Sequence, residues 1–195
     1  ATLMMPINAC GQYLITVDKE FKSALLSHLI HEKQWQQALI FIETKRGAAK
    51  LVSQLEKRDI AAESFHSGRS QAMREQLLAD FKAGTIKYLV ATGVAARGID
   101  IDDLQRVVNY DLPDAAEDYV HRIGRTGRAG ASGEAISLVS RDDFRNLCAI
   151  EQHLGYFVTR EVVEGFAPKL AVPASNSDYA PKSASKSRRR QSNRR

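Results

Sequence analysis

The chain has 195 residues, 44% of them hydrophobic, and a formal net charge of +5. That length suits one domain with a tail or two very small domains, and no apolar run reaches the ~20 residues needed to cross a membrane as a helix. The positive balance sits at one end: positions 181–195 carry seven Lys/Arg and no acidic residue, leaving 21 basic against 23 acidic residues elsewhere, so the body must hold any nucleic acid through local groups rather than an overall field.

Six strands are predicted, alternating with five helices. Gln12–Val17 opens the series. Asp18 reads as the N-cap of a helix over Lys19–His31, with Phe21, Leu25, Leu26, Leu29 and Ile30 marking its buried face. Ala38–Glu43 is a strand with a continuously apolar run over Ala38–Ile42, followed by a helix over Lys45–Arg58 that turns Ala48, Leu51, Val52 and Leu55 inward. After the short strand Ala62–Phe65, Ser70 caps a helix over Gln71–Lys82, with Met73, Leu77, Leu78 and Phe81 inward and Gly84 as its stop. The strand Lys87–Thr92 is again continuously apolar over Tyr88–Ala91, as a strand covered on both faces requires. Arg106–Tyr110, a short helix Ala115–Ile123, the strand Glu134–Val139 and a helix Asp142–Leu154 ended by Gly155 complete the order. Such alternation implies an open α/β parallel sheet flanked by helices on both faces, with ligands bound outside the carboxyl ends of the strands. From Ala171 onward the Ser/Ala/Pro/Lys/Arg-rich sequence has no periodic apolar face and reads as disordered.

Cys10 and Cys148 are the only cysteines, far apart, and the five histidines show no ligand spacing with them. This predicts reduced thiols, a cytoplasmic protein, and no metal site. The start, residues 1–6, lacks the basic-then-apolar pattern of a secretory signal.

The polar segments that follow the strands carry the chemistry. Residues 119–128 place Arg122, Arg125 and Arg128 at intervals of three, with Gly124 and Gly127 between them. Residues three apart share a helix face, and guanidinium groups match phosphate oxygens, although a solvated arginine stripe has the same spacing. Residues 92–100 follow a buried strand with Gly93 and Gly98, and suit either close approach of backbone N–H groups to an anion or a tight turn with Gly98 at positive φ. Asp100 can accept from ribose hydroxyls or orient an arginine. Residues 67–74 open a helix with Ser67, Gly68, Arg69 and Arg74, and helix N-termini attract phosphate. Thr44, Lys45 and Arg46 form a similar opening after the second strand.

In this order and spacing the segments resemble the carboxyl-terminal RecA-like domain of the DEAD-box ATP-dependent RNA helicases. Residues 39–46 resemble motif IV, residues 66–74 the Q-x-x-R segment after it, residues 90–101 motif V, residues 107–113 the strand that follows, and residues 121–128 motif VI. His121 at the head of motif VI favours the DEAD-box form over the DEAH form. The resemblance covers about residues 12–165. It implies a linker remnant at 1–11, a RecA-like domain at 12–168 and a tail at 169–195. It further implies that Arg125 and Arg128 reach the γ-phosphate of ATP as arginine fingers, that Gly98 and Asp100 meet its ribose, and that Thr44, Gly68, Arg74 and Thr92 hold phosphates of one RNA strand. His121 and Arg122 would couple the two motor domains.

Gly93 departs from the aspartate the family commonly carries there, which puts a domain-interface contact in question. The chain also contains no G-x-x-x-x-G-K-[ST] loop, no D-E-A-D sequence and no S-A-T sequence. In the family these belong to the amino-terminal RecA-like domain, which holds the triphosphate and Mg²⁺. The expectation is therefore a second motor domain, with single-stranded or short duplex RNA and the amino-terminal RecA-like domain as partners, that neither hydrolyses ATP nor unwinds RNA alone. A different class of function stays open: an RNA-binding or annealing module driven by the basic tail, or a tail that only solubilises.

Overall fold

The structure, a computed structural model, describes residues 11–126 and 133–176. Seven strands are present: β1 (Gly11–Thr16), β2 (Ala38–Ile42), β3 (Ala62–Phe65), β4 (Tyr88–Thr92), β5 (Arg106–Asn109), β6 (Glu134–Val139) and β7 (Arg160–Glu161). They form one sheet in the order β3-β4-β2-β5-β6-β1-β7, and every pairing is parallel. The helices are α1 (Lys22–Glu32), α2 (Lys45–Glu56), α3 (Gln71–Lys82), α4 (Gly93–Ala96), α5 (Ala116–Ile123) and α6 (Phe144–Leu154).

Alternation along the buried strands divides the core. In β2, Ala38, Ile40 and Ile42 pack with Leu25, Leu29, Leu51 and Leu55 of α1 and α2, while Leu39 and Phe41 pack on the other face with Leu77 and Phe81 of α3. In β1 and β6, Leu14, Ala135 and Val139 face Tyr119, Ile123, Leu147 and Ile150 of α5 and α6. This is the two-faced parallel sheet expected from the apolar runs. Each fully buried Leu, Ile or Phe contributes about 1.5–3 kcal/mol of transfer free energy. The chain uses its caps as read: Ser70 Oγ accepts from Met73 N at 3.1 Å, and Gly84 and Gly155 end α3 and α6 at φ +80° and +76°.

Several expectations need correction. Asp18 makes no side-chain cap; a 3-10 turn over Lys19–Phe21 precedes α1, and the Asp18 carboxylate accepts instead from Lys169 N (2.9 Å) and Leu170 N (3.1 Å). Phe21 and Met73, assigned to buried faces, are 45% and 44% exposed. Phe21 belongs to the 3-10 turn ahead of α1, and Met73 stands in the first turn of α3. The turn after β4 contains a four-residue helix, α4, and β7 was not anticipated because its two residues, Arg160 and Glu161, are charged. Residues 171–176, read as disordered, make hydrogen bonds with the body: Arg160 donates to Val172 O and Pro173 O, both at 2.8 Å, and Ser175 Oγ donates to Glu151 Oε1 at 2.5 Å. Composition could not show this, since the partners lie 12 to 24 residues back along the chain. The basic stretch 181–195 lies outside the described residues.

Candidate nucleotide and RNA interface

Parallel strands deliver their following loops to one end of the sheet, and that is where every described candidate residue lies. A cleft of about 580 Å³ opens there above β2, β4 and β5. Gly93, Arg97, Gly98, His121, Arg122 and Arg125 line it together with Asp111, Asp114 and Asp118. The structure thus brings together the segments read as motifs V and VI. His121 is exposed on the last turn of α5, while Asp100 is exposed and lies outside the cleft lining.

Arg122 is held by hydrogen bonds and by a ring contact. Nη1 donates to Asn109 Oδ1 and to Asp111 O, each at 3.1 Å, and Cζ stands 4.6 Å from the centroid of the Phe41 ring. Burial brings its pKa down to about 10, partly offset by Asp118 and Asp111, so it remains charged at neutral pH. Asp111 is in turn fixed, its Oδ2 accepting from Glu43 N at 2.9 Å.

Arg125 does something else. Its guanidinium donates to three backbone carbonyls of the segment after β4: Ile99 at 2.7 Å, Ala96 at 3.1 Å and Ile101 at 3.3 Å. The 124–126 turn is itself tied to the segment before β5, Leu104 N donating to Arg125 O at 3.1 Å and Thr126 Oγ1 to Leu104 O at 2.5 Å. Arg125 thereby braces the loop that carries Gly98 and Asp100. Gly98 has φ +75° with open space where a Cβ would stand, so backbone conformation rather than crowding requires glycine there. Arg128 lies outside the described residues.

The second group lies toward the β3 edge. Thr44 caps α2, its Oγ1 accepting from Gly47 N at 2.9 Å, and the exposed hydroxyl retains its own hydrogen for another acceptor. Gly68 is exposed in the β3–α3 loop, close enough to α2 that a Cβ on it would lie 3.7 Å from Lys45 Cδ. Arg74, on the first turn of α3, donates from Nη2 to Gln71 Oε1 at 2.9 Å, and its buried Nε has no hydrogen-bond partner. Thr92 is only 6% exposed, so its side chain is withdrawn from this surface.

Sequence reasoning assigned no role to Lys22, Phe41, Asn109 or Arg97. Lys22, 2% exposed, donates to Tyr110 O and Asp143 Oδ2, both at 2.9 Å, and pins the loops after β5 and β6 to the start of α1. Arg97 pairs with Asp118 at 3.1 Å. Asn109 and Asp111 lie within the segment already singled out at 107–113; Lys22 carries no local signal, because a lysine at a helix start reads as solvated.

Among the described residues no helix is long and apolar enough to cross a membrane, and no three His, Cys, Asp or Glu side chains group as metal ligands. A family model for the helicase conserved C-terminal domain matches residues 21–130. The chain is 44% identical over 143 residues to the ATP-dependent RNA helicase vasa of Drosophila melanogaster, covering 72% of this chain and 22% of that protein. It is 41% identical over 147 residues to the ATP-dependent RNA helicase DbpA of Bacillus subtilis, covering 75% and 31%. Among solved structures, the E. coli DEAD-box protein SrmB bound to the regulator of ribonuclease activity A superposes with TM-score 0.78 at 33% identity, covering 85% of this chain and 98% of that one. A DEAD box protein from Methanococcus jannaschii superposes with TM-score 0.73 at 37% identity, covering 79% and 42%. This chain spans less than a third of the length of the two curated relatives. Its match over 110 residues of the helicase model, and its parallel sheet with both motif loops at one end, make it a carboxyl-terminal RecA-like domain of the DEAD-box family of ATP-dependent RNA helicases.

Proposed function

We propose that this domain serves as the second half of an ATP-driven RNA helicase motor, closing on an amino-terminal RecA-like domain with ATP and Mg²⁺ between them. The observation that carries the reading is the convergence of Arg122, Arg125 and Gly98 in one cleft at the carboxyl ends of β2, β4 and β5. Arg125 and Arg128 would stabilise charge on the transferring phosphoryl group, an effect worth about 10³–10⁵ in rate in other NTPases. For this, Arg125 exchanges the carbonyls of Ala96, Ile99 and Ile101 for phosphate oxygens. Gly98 and Asp100 would face the ribose, and His121 with Arg122 would transmit closure across the interface.

RNA would be gripped by its phosphates, through the Thr44 hydroxyl, the Gly68 backbone and the Arg74 guanidinium, with the Thr92 backbone beneath. Such contacts position a strand without reading its sequence. The guanidinium groups of Arg122 and Arg125 and the open turn at Gly98 in the cleft support a phosphate-bearing ligand there. The triphosphate cradle and the Mg²⁺ ligands belong to the partner domain, so the domain alone is expected to be inactive in ATP turnover.

The test is ATP turnover with and without RNA by the two-domain protein carrying Arg125→Ala or Arg128→Ala. Loss of RNA-stimulated turnover by about 10³-fold or more, with the fold retained, is expected. Near-normal turnover removes that arginine from the finger role.

A further inference from the structure

Gly68 is one of the groups proposed above to meet an RNA phosphate, yet its N–H is already engaged. It donates to His66 Nδ1 at 3.0 Å. A Cβ on Gly68 would stand 2.9 Å from both Cε1 and Nδ1 of that ring, so glycine is what lets the imidazole lie against the loop backbone. An Nδ1 that accepts a hydrogen bond carries no proton, so the ring is the neutral form protonated on Nε2. A phosphate oxygen and the imidazole nitrogen are therefore rivals for one N–H.

The surroundings hold the ring neutral. Lys45, the first residue of α2, and Arg69, next to Gly68, face it; burial first, and then these two cations, push its pKa below the ordinary 6.5. Arg69 is itself tied to β3, donating to Ser64 Oγ at 3.1 Å and lying 3.8 Å from Glu63. A phosphate arriving beside Lys45 and Arg69 would screen both cations and add a negative charge next to the ring, favouring the imidazolium.

Resting on the RNA reading above, we propose that His66 gates the phosphate contact of this domain: the neutral ring occupies the Gly68 N–H, and the imidazolium releases it and offers its own Nδ1–H as a second donor to an RNA phosphate. RNA binding then takes up a proton at His66. Affinity for RNA rises as the pH falls through the titration of that ring, and the domain is a weaker phosphate binder whenever the Gly68 amide is held internally.

The test uses the whole chain and its variants His66→Asn and His66→Ala. Asparagine places Oδ1 near the position of Nδ1, keeping an acceptor for Gly68 while removing the titration. Anisotropy of labelled single-stranded oligouridine is measured at constant ionic strength from about pH 8 to about pH 5.5, the range over which histidine changes charge. In parallel, ¹⁵N spectra follow the Gly68 amide and the His66 ring nitrogens. On acidification the wild type is expected to gain about threefold to tenfold more affinity than His66→Asn, the equivalent of one hydrogen bond. The Gly68 amide shift should move with the His66 titration. Equal pH slopes in wild type and His66→Asn, or a Gly68 resonance indifferent to the ring, overturn the gate while leaving the RNA reading intact. Absence of RNA binding in every variant at every pH overturns the RNA reading and the gate together.

Discussion

The guanidinium of Arg122 occupies the volume that a side chain at position 93 would take: a Cβ on Gly93 would stand 2.7 Å from Nη2. Nη1 is bound to Asn109 and Asp111, and the group lies over Phe41, so Arg122 has little freedom to move aside. The departure at position 93 from the family's usual aspartate is thus matched by the placement of the arginine. Gly93→Ala is expected to destabilise the domain by about 1 kcal/mol, the usual size of a local steric conflict. The check is a double-mutant cycle with Arg122→Ala in urea, where removing the guanidinium should abolish most of that cost.

Lys22 is a buried cation serving two loops, those after β5 and β6. Replacing it with methionine leaves the Asp143 carboxylate and the Tyr110 carbonyl without their shared donor. A loss of about 3 kcal/mol is expected, at the lower end for breaking one side of a buried pair. Chemical unfolding of Lys22→Met and of Lys22→Met with Asp143→Asn measures it, and the second change should recover part of the loss.

Arg125 braces residues 96–101 through three carbonyls. Arg125→Ala should therefore loosen that loop before it affects the sheet. Amide hydrogen exchange in residues 97–101 is expected to speed up by about tenfold, the equivalent of one or two lost hydrogen bonds, with β2 and β4 unchanged. Equal acceleration in β4 would indicate a global effect and count against the brace.

His66 also links stability to pH, with the opposite sign to its effect on RNA binding. Its folded pKa is lowered from 6.5 by burial, Arg69 and Lys45. The unfolded chain takes up this proton first as the pH drops, so the contribution to stability is present above 6.5 and is lost as the pH falls through the folded pKa. Thermal unfolding at descending pH should show the wild type losing stability faster than His66→Asn. Parallel curves would mean that the ring is not held neutral by the fold.

The six longer strands and their order were legible because short apolar runs such as Ala38–Ile42 and Tyr88–Ala91 suit strands covered on both faces, and because Ser70, Gly84 and Gly155 punctuate helices by local chemistry alone. The grouping of Arg122, Arg125 and Gly98 was legible for a related reason, since loops that follow parallel strands must meet at one end of the sheet. What each side chain does there was not. Arg122 and Arg125 share a motif and a spacing, yet one is seated on Phe41 and Asn109 while the other grips the backbone of a loop 24 to 29 residues earlier.

Sequence alone determined six of the seven strands and the boundaries of five helices to within a turn, because those depend on periodicity and on neighbours within about four residues. Tertiary structure decided that Asp18 receives the backbone at 169–170 instead of capping a helix, that Lys22 is buried, that Thr92 is withdrawn, and that His66 holds the Gly68 amide in a cationic setting. Three of these four depend on which segments the fold stacks together, and the His66–Gly68 contact, local in sequence, keeps a neutral ring because burial, then Arg69 and Lys45, lower its pKa. Hydrogen bonds and charges act over a few ångströms of space, and only the folded sheet brings those distances about.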